Sequence, residues 1–363
     1  MNNKDILIWL NSLNIDNITI DKLQKKFIDL SYIWEASNKE IMSLKGISDK
    51  IKNKIISYKN KEYFEKIKKL IYNTGIDVLC INDINYPDRL KEIYNPPKVL
   101  YVKGSLKVND KLAIAIVGSR KATPYGKWAS EKFAKELAKM DVTIISGMAV
   151  GIDTKAHEGA LKANGRTIAV LGSGVDVIYP KSNKVLYDKI QENGAIISEY
   201  FPGTKPFPGN FPKRNRIISG LAIGIVIIEA SEKSGSLITA NHALEQGKEV
   251  FALPGNINSI YSRGTNLLIK DGAKVLTEVE DIFDEIKQLK EKSKKIKNQK
   301  INLDNLSEDE AKIVKCIYEY PMHCDKISYH TGIEISKVNS ILTILEMKGI
   351  AKQLPGKIFS LSL

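Results

Sequence analysis

The sequence contains no apolar run approaching the ~20 residues that a membrane helix needs. The best, Ile223 to Ile228, stops at Glu229. The opening MNNKDILIWLNSLNIDNI has neither the basic start nor the small-residue cleavage site of a signal peptide, so a cytoplasmic location is expected. Cysteine is scarce. Cys80, Cys316 and Cys324 are odd in number and none stand in CxxC spacing, which excludes a disulfide framework and fits reduced packing residues. His323, Cys324 and His330 lie close in sequence, but no fourth ligand follows at a zinc spacing, and no metal is expected. Two nucleotide motifs are also missing. No GxxxxGK[ST] occurs, which argues against a P-loop motor. Leu171-Gly172-Ser173-Gly174 supplies GxG without the third glycine or the later acidic residue of a dinucleotide fingerprint. No cofactor is expected.

What is present in excess is positive charge. Lys and Arg number 55 against 42 Asp and Glu, a net +13 over 363 residues. A basic surface favours nucleic acid or an anionic membrane as partner, although a Lys- and Asn-rich composition alone has the same effect on charge. The length calls for two or three domains.

Four segments can be drawn. Residues 1–72 show apolar spacing of helical period (Leu23, Phe27, Leu30; Ile51, Ile55, Tyr58) and predict a small helical bundle. Within it, Leu44 to Ser48 ahead of a lysine-rich helix resembles a helix-hairpin-helix turn, with Ser48 in place of its second glycine; a plain turn capped by Ser48 fits equally. Residues 73–286 alternate β-branched runs with amphipathic stretches: LAIAIVG, VTIISG, TIAVLG, AIISE, AIGIVIIEA and EVFALPG, each followed by a helical or loop segment. Strand–helix alternation with continuously apolar strands predicts an α/β domain with a central Rossmann-like, doubly wound parallel sheet. VLCI and KVLYVKG are expected to add strands to it. Residues 287–303 form a basic linker, read as an extended tether rather than a helix end. Residues 304–363 read as three helices (Glu308 to Glu319, Cys324 to His330, Ser336 to Met347) and two strands about Pro355-Gly356, a winged helix whose first helix opens on a Ser307/Glu310 capping box.

Ligands of open parallel sheets gather at the carboxyl ends of the strands. Gly118-Ser119-Arg120 there leads into a helix near Pro124; a close backbone approach, the helix's free amides and a guanidinium all favour phosphate. Asp153 and His157, one turn on, could hold a metal or move a proton, but Asp153 is expected to cap the next helix, with His157 a packed or exposed imidazole. Ser234, Gly235 and Ser236 open a further helix, either as a nest of donors or as a simple cap. The densest feature is the loop from Gly203 to Arg216. It carries Lys205, Phe207, Phe211, Lys213, Arg214, Asn215 and Arg216, the cation-plus-aromatic mixture that holds single strands without reading sequence. One of Arg214 and Arg216 is expected to be neutralised internally, through Glu199 or Glu229. The rest of the cluster is expected to face an anionic ligand.

GSR, SGMAVGIDTKAH, VLGSGVDVIYPKSN, GAIISEYFPGTKPFPGNFPKRNRIISGLA, EASEKSGSLITANHALEQGKEVFALPGNI and GTNLLIKDGA, in this order, resemble the bacterial DNA-processing family DprA/Smf. The likeness runs through the whole central segment. It implies a sterile-alpha-motif-like (SAM-like) bundle before that segment and a winged helix after it. It further implies a non-enzymatic protein that binds and protects incoming single-stranded DNA, loads the RecA recombinase onto it in natural transformation, and forms a homodimer through the Rossmann-like domain. Carried over by position, DNA contacts fall on Arg120, Lys205 and either Phe207 or Phe211, with Phe207 preferred. Many members have Arg where Val150 stands, and that loop is left out of the expected contact set.

Two rival readings remain at this level. Related Rossmann-like phosphoribohydrolases use a catalytic glutamate on the helix after a glycine-rich turn; here that helix begins Ser236-Leu237-Ile238-Thr239-Ala240 with no acid. A duplex-reading transcription factor would need base-reading side chains on SKVNSILTILEMKG, which has few.

Overall fold

In a computed structural model, which describes residues 1–27, 29–300, 306–318 and 320–361 (backbone alone for 294–300), the chain divides into two compact units, Met1–Lys287 and Gln288–Leu363. Residues 301–303 of the expected linker and the expected helix end at Glu319 lie outside the described residues.

The apolar runs of the first unit become strands: β1 (Asp77–Cys80), β2 (Val99–Gly104), β3 (Ala113–Val117), β4 (Thr143–Ser146), β5 (Thr167–Val170), β6 (Ala195–Ser198), β7 (Gly224–Ile227), β8 (Glu249–Ala252) and β9 (Lys274–Val275). They form one sheet in the order β1-β2-β6-β5-β4-β3-β7-β8-β9. From β6 to β9 every pairing is parallel, and β3 to β7 are buried along their whole length, as helices on both faces require. VLCI and KVLYVKG join as expected, but antiparallel, at one edge. The chain leaves β3 toward β4 on one side, while β7 pairs on the other. That reversal puts a crevice at the carboxyl ends of β3 and β7, where this class of sheet receives ligands.

The helical bundle and the sheet share one apolar core, which joins Trp9, Ile33 and Ile41 to Tyr101, Leu171 and Ile196. Polar contacts tie the same seam: the Tyr101 hydroxyl donates to Asn11 Oδ1 at 2.9 Å, and the buried Lys98 pairs with Asp21 at 2.5 Å. The turn before Asp49–Tyr58 has Gly46 at φ +80°, and Ser48 stands at the cap position without a side-chain capping bond.

In the second unit, helices Glu308–Cys316, Cys324–Thr331 and Ile335–Met347 pack with β10 (Met322–His323), β11 (Ala351–Leu354) and β12 (Ile358–Leu361), paired in the order β10-β12-β11. This is a winged helix, opened by the expected Ser307/Glu310 capping box. Lys287–Lys300, expected as an extended tether, is helical instead. It contains no Gly or Pro, and Lys, Gln, Glu and Leu are good helix formers.

Candidate functional site

The carboxyl ends of β3, β4, β5 and β7 each run into a loop, and side chains from the helix Asn210–Leu221 connect them. The cation cluster expected in a loop occupies the first two turns of this helix, with Pro212 at a position where the first turn tolerates a missing N–H. Helical geometry sorts the cations. Lys213 is exposed, whereas Arg214 and Arg216 are both buried, so not one arginine but two are structural.

Arg214 enters the gap between β4 and β5, where its Nη1 donates to the carbonyls of Gly147 (2.8 Å) and Val170. The missing side chain of Gly147 makes room for it. A Cβ on Gly147 would lie 2.5 Å from the Arg214 guanidinium. Burial pushes the Arg214 guanidinium down to about 10, an effect the Asp153 carboxylate opposes. Asp153 does not cap its helix; Gly151 holds that position, and Asp153 reaches back to accept from the amides of Gly147 (3.1 Å) and Ala149 (3.4 Å). Arg216 makes a two-pronged pair with Glu199, its Nη1 and Nη2 lying 2.8 and 2.6 Å from the carboxylate oxygens. Asn215 is buried too and donates to the carbonyl of Gly235 at 3.2 Å, joining this helix to the Ser-Gly-Ser turn. In that turn Ser234 and Ser236 bond to each other through their hydroxyls at 2.7 Å, and Ser234 accepts from the Ser236 amide. The turn is therefore satisfied as a cap.

Glu229, weighed as an arginine partner, does something else. Its carboxylate accepts from the Thr123 amide (2.9 Å) and hydroxyl, at the N-cap of the helix Pro124–Lys139. The helix end expected to offer free amides to phosphate after Gly118-Ser119-Arg120 is occupied by an internal anion.

The side chains left facing outward are Arg120, Lys205, Phe207 and Lys213. The Arg120 guanidinium stands over the Phe211 ring at 5.1 Å, and the Tyr179 ring lies against the same phenyl at 5.6 Å. Phe211 packs onto Gly172, whose missing side chain leaves room for the ring. Phe207 is 64% exposed, and its ring lies against the turn at Gly209. The loop that carries Lys205 is anchored below: Gly174 N–H donates to the Thr204 carbonyl (2.9 Å) and Gly203 N–H to Asp176 (2.8 Å). The result is a cationic and aromatic rim from the end of β3 to the end of β5. Sequence reasoning missed Tyr179 and the exposed stacked pair Tyr125–Trp128 because single aromatics in loops and on helix faces carry no periodic signal.

The carboxylates Asp153, Glu199 and Glu229 all have internal partners, and the helix Gly235–Glu245 has no acid in its first turn. His323, Cys324 and Asp325 cluster within 4.8 Å in the second unit, where His323 accepts from the Asp325 amide at 3.2 Å as a helix cap. No described helix is long and apolar enough to cross a membrane.

Residues 77–287 match the family described as DNA recombination-mediator protein A, and residues 300–357 match the DprA winged helix domain. The DNA processing protein DprA of Bacillus subtilis is 42% identical over 242 residues, 66% of this chain and 82% of that protein. The crystal structure of DNA processing protein A from Streptococcus pneumoniae covers 79% of this chain and 98% of its own, at 36% identity and a TM-score of 0.67. A structure of DNA processing protein A from Helicobacter pylori, described by its single-stranded DNA binding mode, covers 59% of this chain and 96% of its own, at 35% identity and a TM-score of 0.53.

Proposed function

The chain belongs to the DNA recombination-mediator protein A family, and from that premise we infer that it holds single-stranded DNA along the rim from Arg120 to Lys205 without breaking bonds in it. One observation carries this reading. Of the cations clustered around the rim, the buried Arg214 and Arg216 are committed to the protein, while Arg120, Lys205 and Lys213 are exposed and Arg120 stands over the Phe211 ring, itself packed against Tyr179. Guanidinium and ammonium groups beside stacking surfaces suit a flexible polyanion with splayed bases. The Helicobacter pylori relative's single-strand binding supports the same ligand. Acid–base chemistry needs an available carboxylate or imidazole in reach of a bound substrate. The internal engagement of Asp153, Glu199 and Glu229 favours binding over turnover.

The wider role inferred is that of a cytoplasmic protein that protects incoming strands and delivers them to RecA recombinase during natural transformation, acting as a homodimer. Leu244, Leu267 and Val275 support a self-association surface. They are exposed apolar side chains on the helices packed against β8 and on β9 itself. The test is a competition of single-stranded DNA, duplex and mononucleotides for the full chain, with product analysis. Selective strand binding without products is expected; release of a base from a nucleotide would instead establish a phosphoribohydrolase.

A further inference from the structure

In a capping box, the residue three places after the N-cap supplies a carboxylate that accepts from the N-cap amide. The helix Pro124–Lys139 has the right cap, Thr123, which accepts from the Gly126 amide at 3.1 Å. At the position that should hold the acid, however, stands Gly126. The acid comes from the end of β7 instead. Glu229, 106 positions away in sequence, accepts the Thr123 amide at 2.9 Å and its hydroxyl as well. Gly126 admits it, since a Cβ there would lie 2.4 Å from the Glu229 carboxyl carbon. Glu229 is 4% exposed, and among the described residues no Lys or Arg pairs with it. The positive end of the helix is its counter-charge.

This helix begins at the reversal of strand order, where sheets of this class seat the phosphate of a nucleotide. We propose that Glu229 is a built-in substitute for that phosphate: a specificity-determining residue that closes the helix end to free phosphate and to 5′-phosphorylated nucleotides. The seat is within reach of solvent, because Thr123, Tyr125, Glu229, Asn256 and Ser259 line a cavity of about 430 Å³. A free phosphate entering it would meet a carboxylate already holding the donors it needs. On the strand-binding reading, on which this part rests, the phosphates of the polymer are left to Arg120 and Lys205 on the rim.

The experiment compares the full chain as wild type, Glu229→Ser, which vacates the seat, and Glu229→Gln, which fills it without charge. Inorganic phosphate is the probe, against chloride at matched ionic strength, read by calorimetric titration and by melting temperature. The serine variant should bind phosphate at least ~10-fold tighter than wild type or the glutamine variant, and phosphate should raise its melting temperature alone. If the serine variant does not fold in chloride, folding in phosphate is the expected result. Phosphate acting equally on all three chains, or a serine variant that stays unfolded in phosphate, overturns the proposal. Single-strand binding by wild type is measured alongside. Its absence would sink the strand reading, while the phosphate comparison would still decide the role of Glu229.

Discussion

Arg216 and Glu199 meet as a buried two-pronged ion pair, guanidinium nitrogens 2.8 and 2.6 Å from carboxylate oxygens, at the base of a helix whose outer face carries Lys213. Removing one partner strands the other charge in a poorly solvated place. Arg216→Met and Glu199→Gln are each expected to cost about 3–5 kcal/mol in urea unfolding, and the double variant less than the sum of the two. Additive losses would show that the pair is not a unit.

Arg120 lies on the other side of that division. It is exposed, and its guanidinium stands over the Phe211 ring. Arg120→Ala should leave stability within about 0.5 kcal/mol of wild type. It should weaken single-strand binding by roughly 1.5–3 kcal/mol, the range for a hydrogen bond to a charged group. Fluorescence anisotropy checks this; unchanged affinity in the folded variant removes Arg120 from the site.

The two phenylalanines separate stacking from packing. Phe207→Ala should reduce affinity by about 1–3 kcal/mol, the worth of one base–aromatic stack, at no cost in melting temperature. Phe211→Ala should lower both affinity and melting temperature, because Phe211 also fills the space over Gly172 between Arg120 and Tyr179. Equal melting temperatures for the two variants would contradict this division.

These contrasts mark what the sequence made legible. Strand–helix alternation revealed the parallel sheet, and small residues at strand ends revealed the loops, because both follow from local periodicity. The fate of Arg214 and Arg216 was not legible beyond the expectation that one was paired. Adjacent cations read as a surface patch until the glycine that admits one and the carboxylate that clamps the other are located in space. Glu229 was hidden for the same reason. Its partner is 106 positions away, and a capping box is recognised in sequence only when both halves are local. The basic segment after Ile286 misled in the opposite direction, since low apolar content signals solvent exposure and not the absence of a helix.

His157 sets an acid limit on the first unit. Burial, with Arg214 acting in the same direction, pushes its imidazole down to about 3. In the unfolded chain the group titrates near 6.5. Between these values the unfolded chain binds the extra proton, so stability is complete above 6.5 and falls with pH by up to ~1.4 kcal/mol per unit. Asp153, raised by burial, works with opposite sign and partly masks the slope in wild type. His157→Gln should lose less stability than wild type between pH 7 and pH 5, pH values chosen to bracket about 6.5. The same loss in both would show that the imidazole is not the group responsible.

Photo-crosslinking of a short oligothymidine carrying 5-iodouracil, followed by peptide mapping of the full chain, tests the rim most directly. Adducts at Phe207, Phe211 and Tyr179, lost as salt is raised, are the predicted result. Adducts confined to the winged helix or the N-terminal bundle, with the rim peptides unmodified, would contradict it.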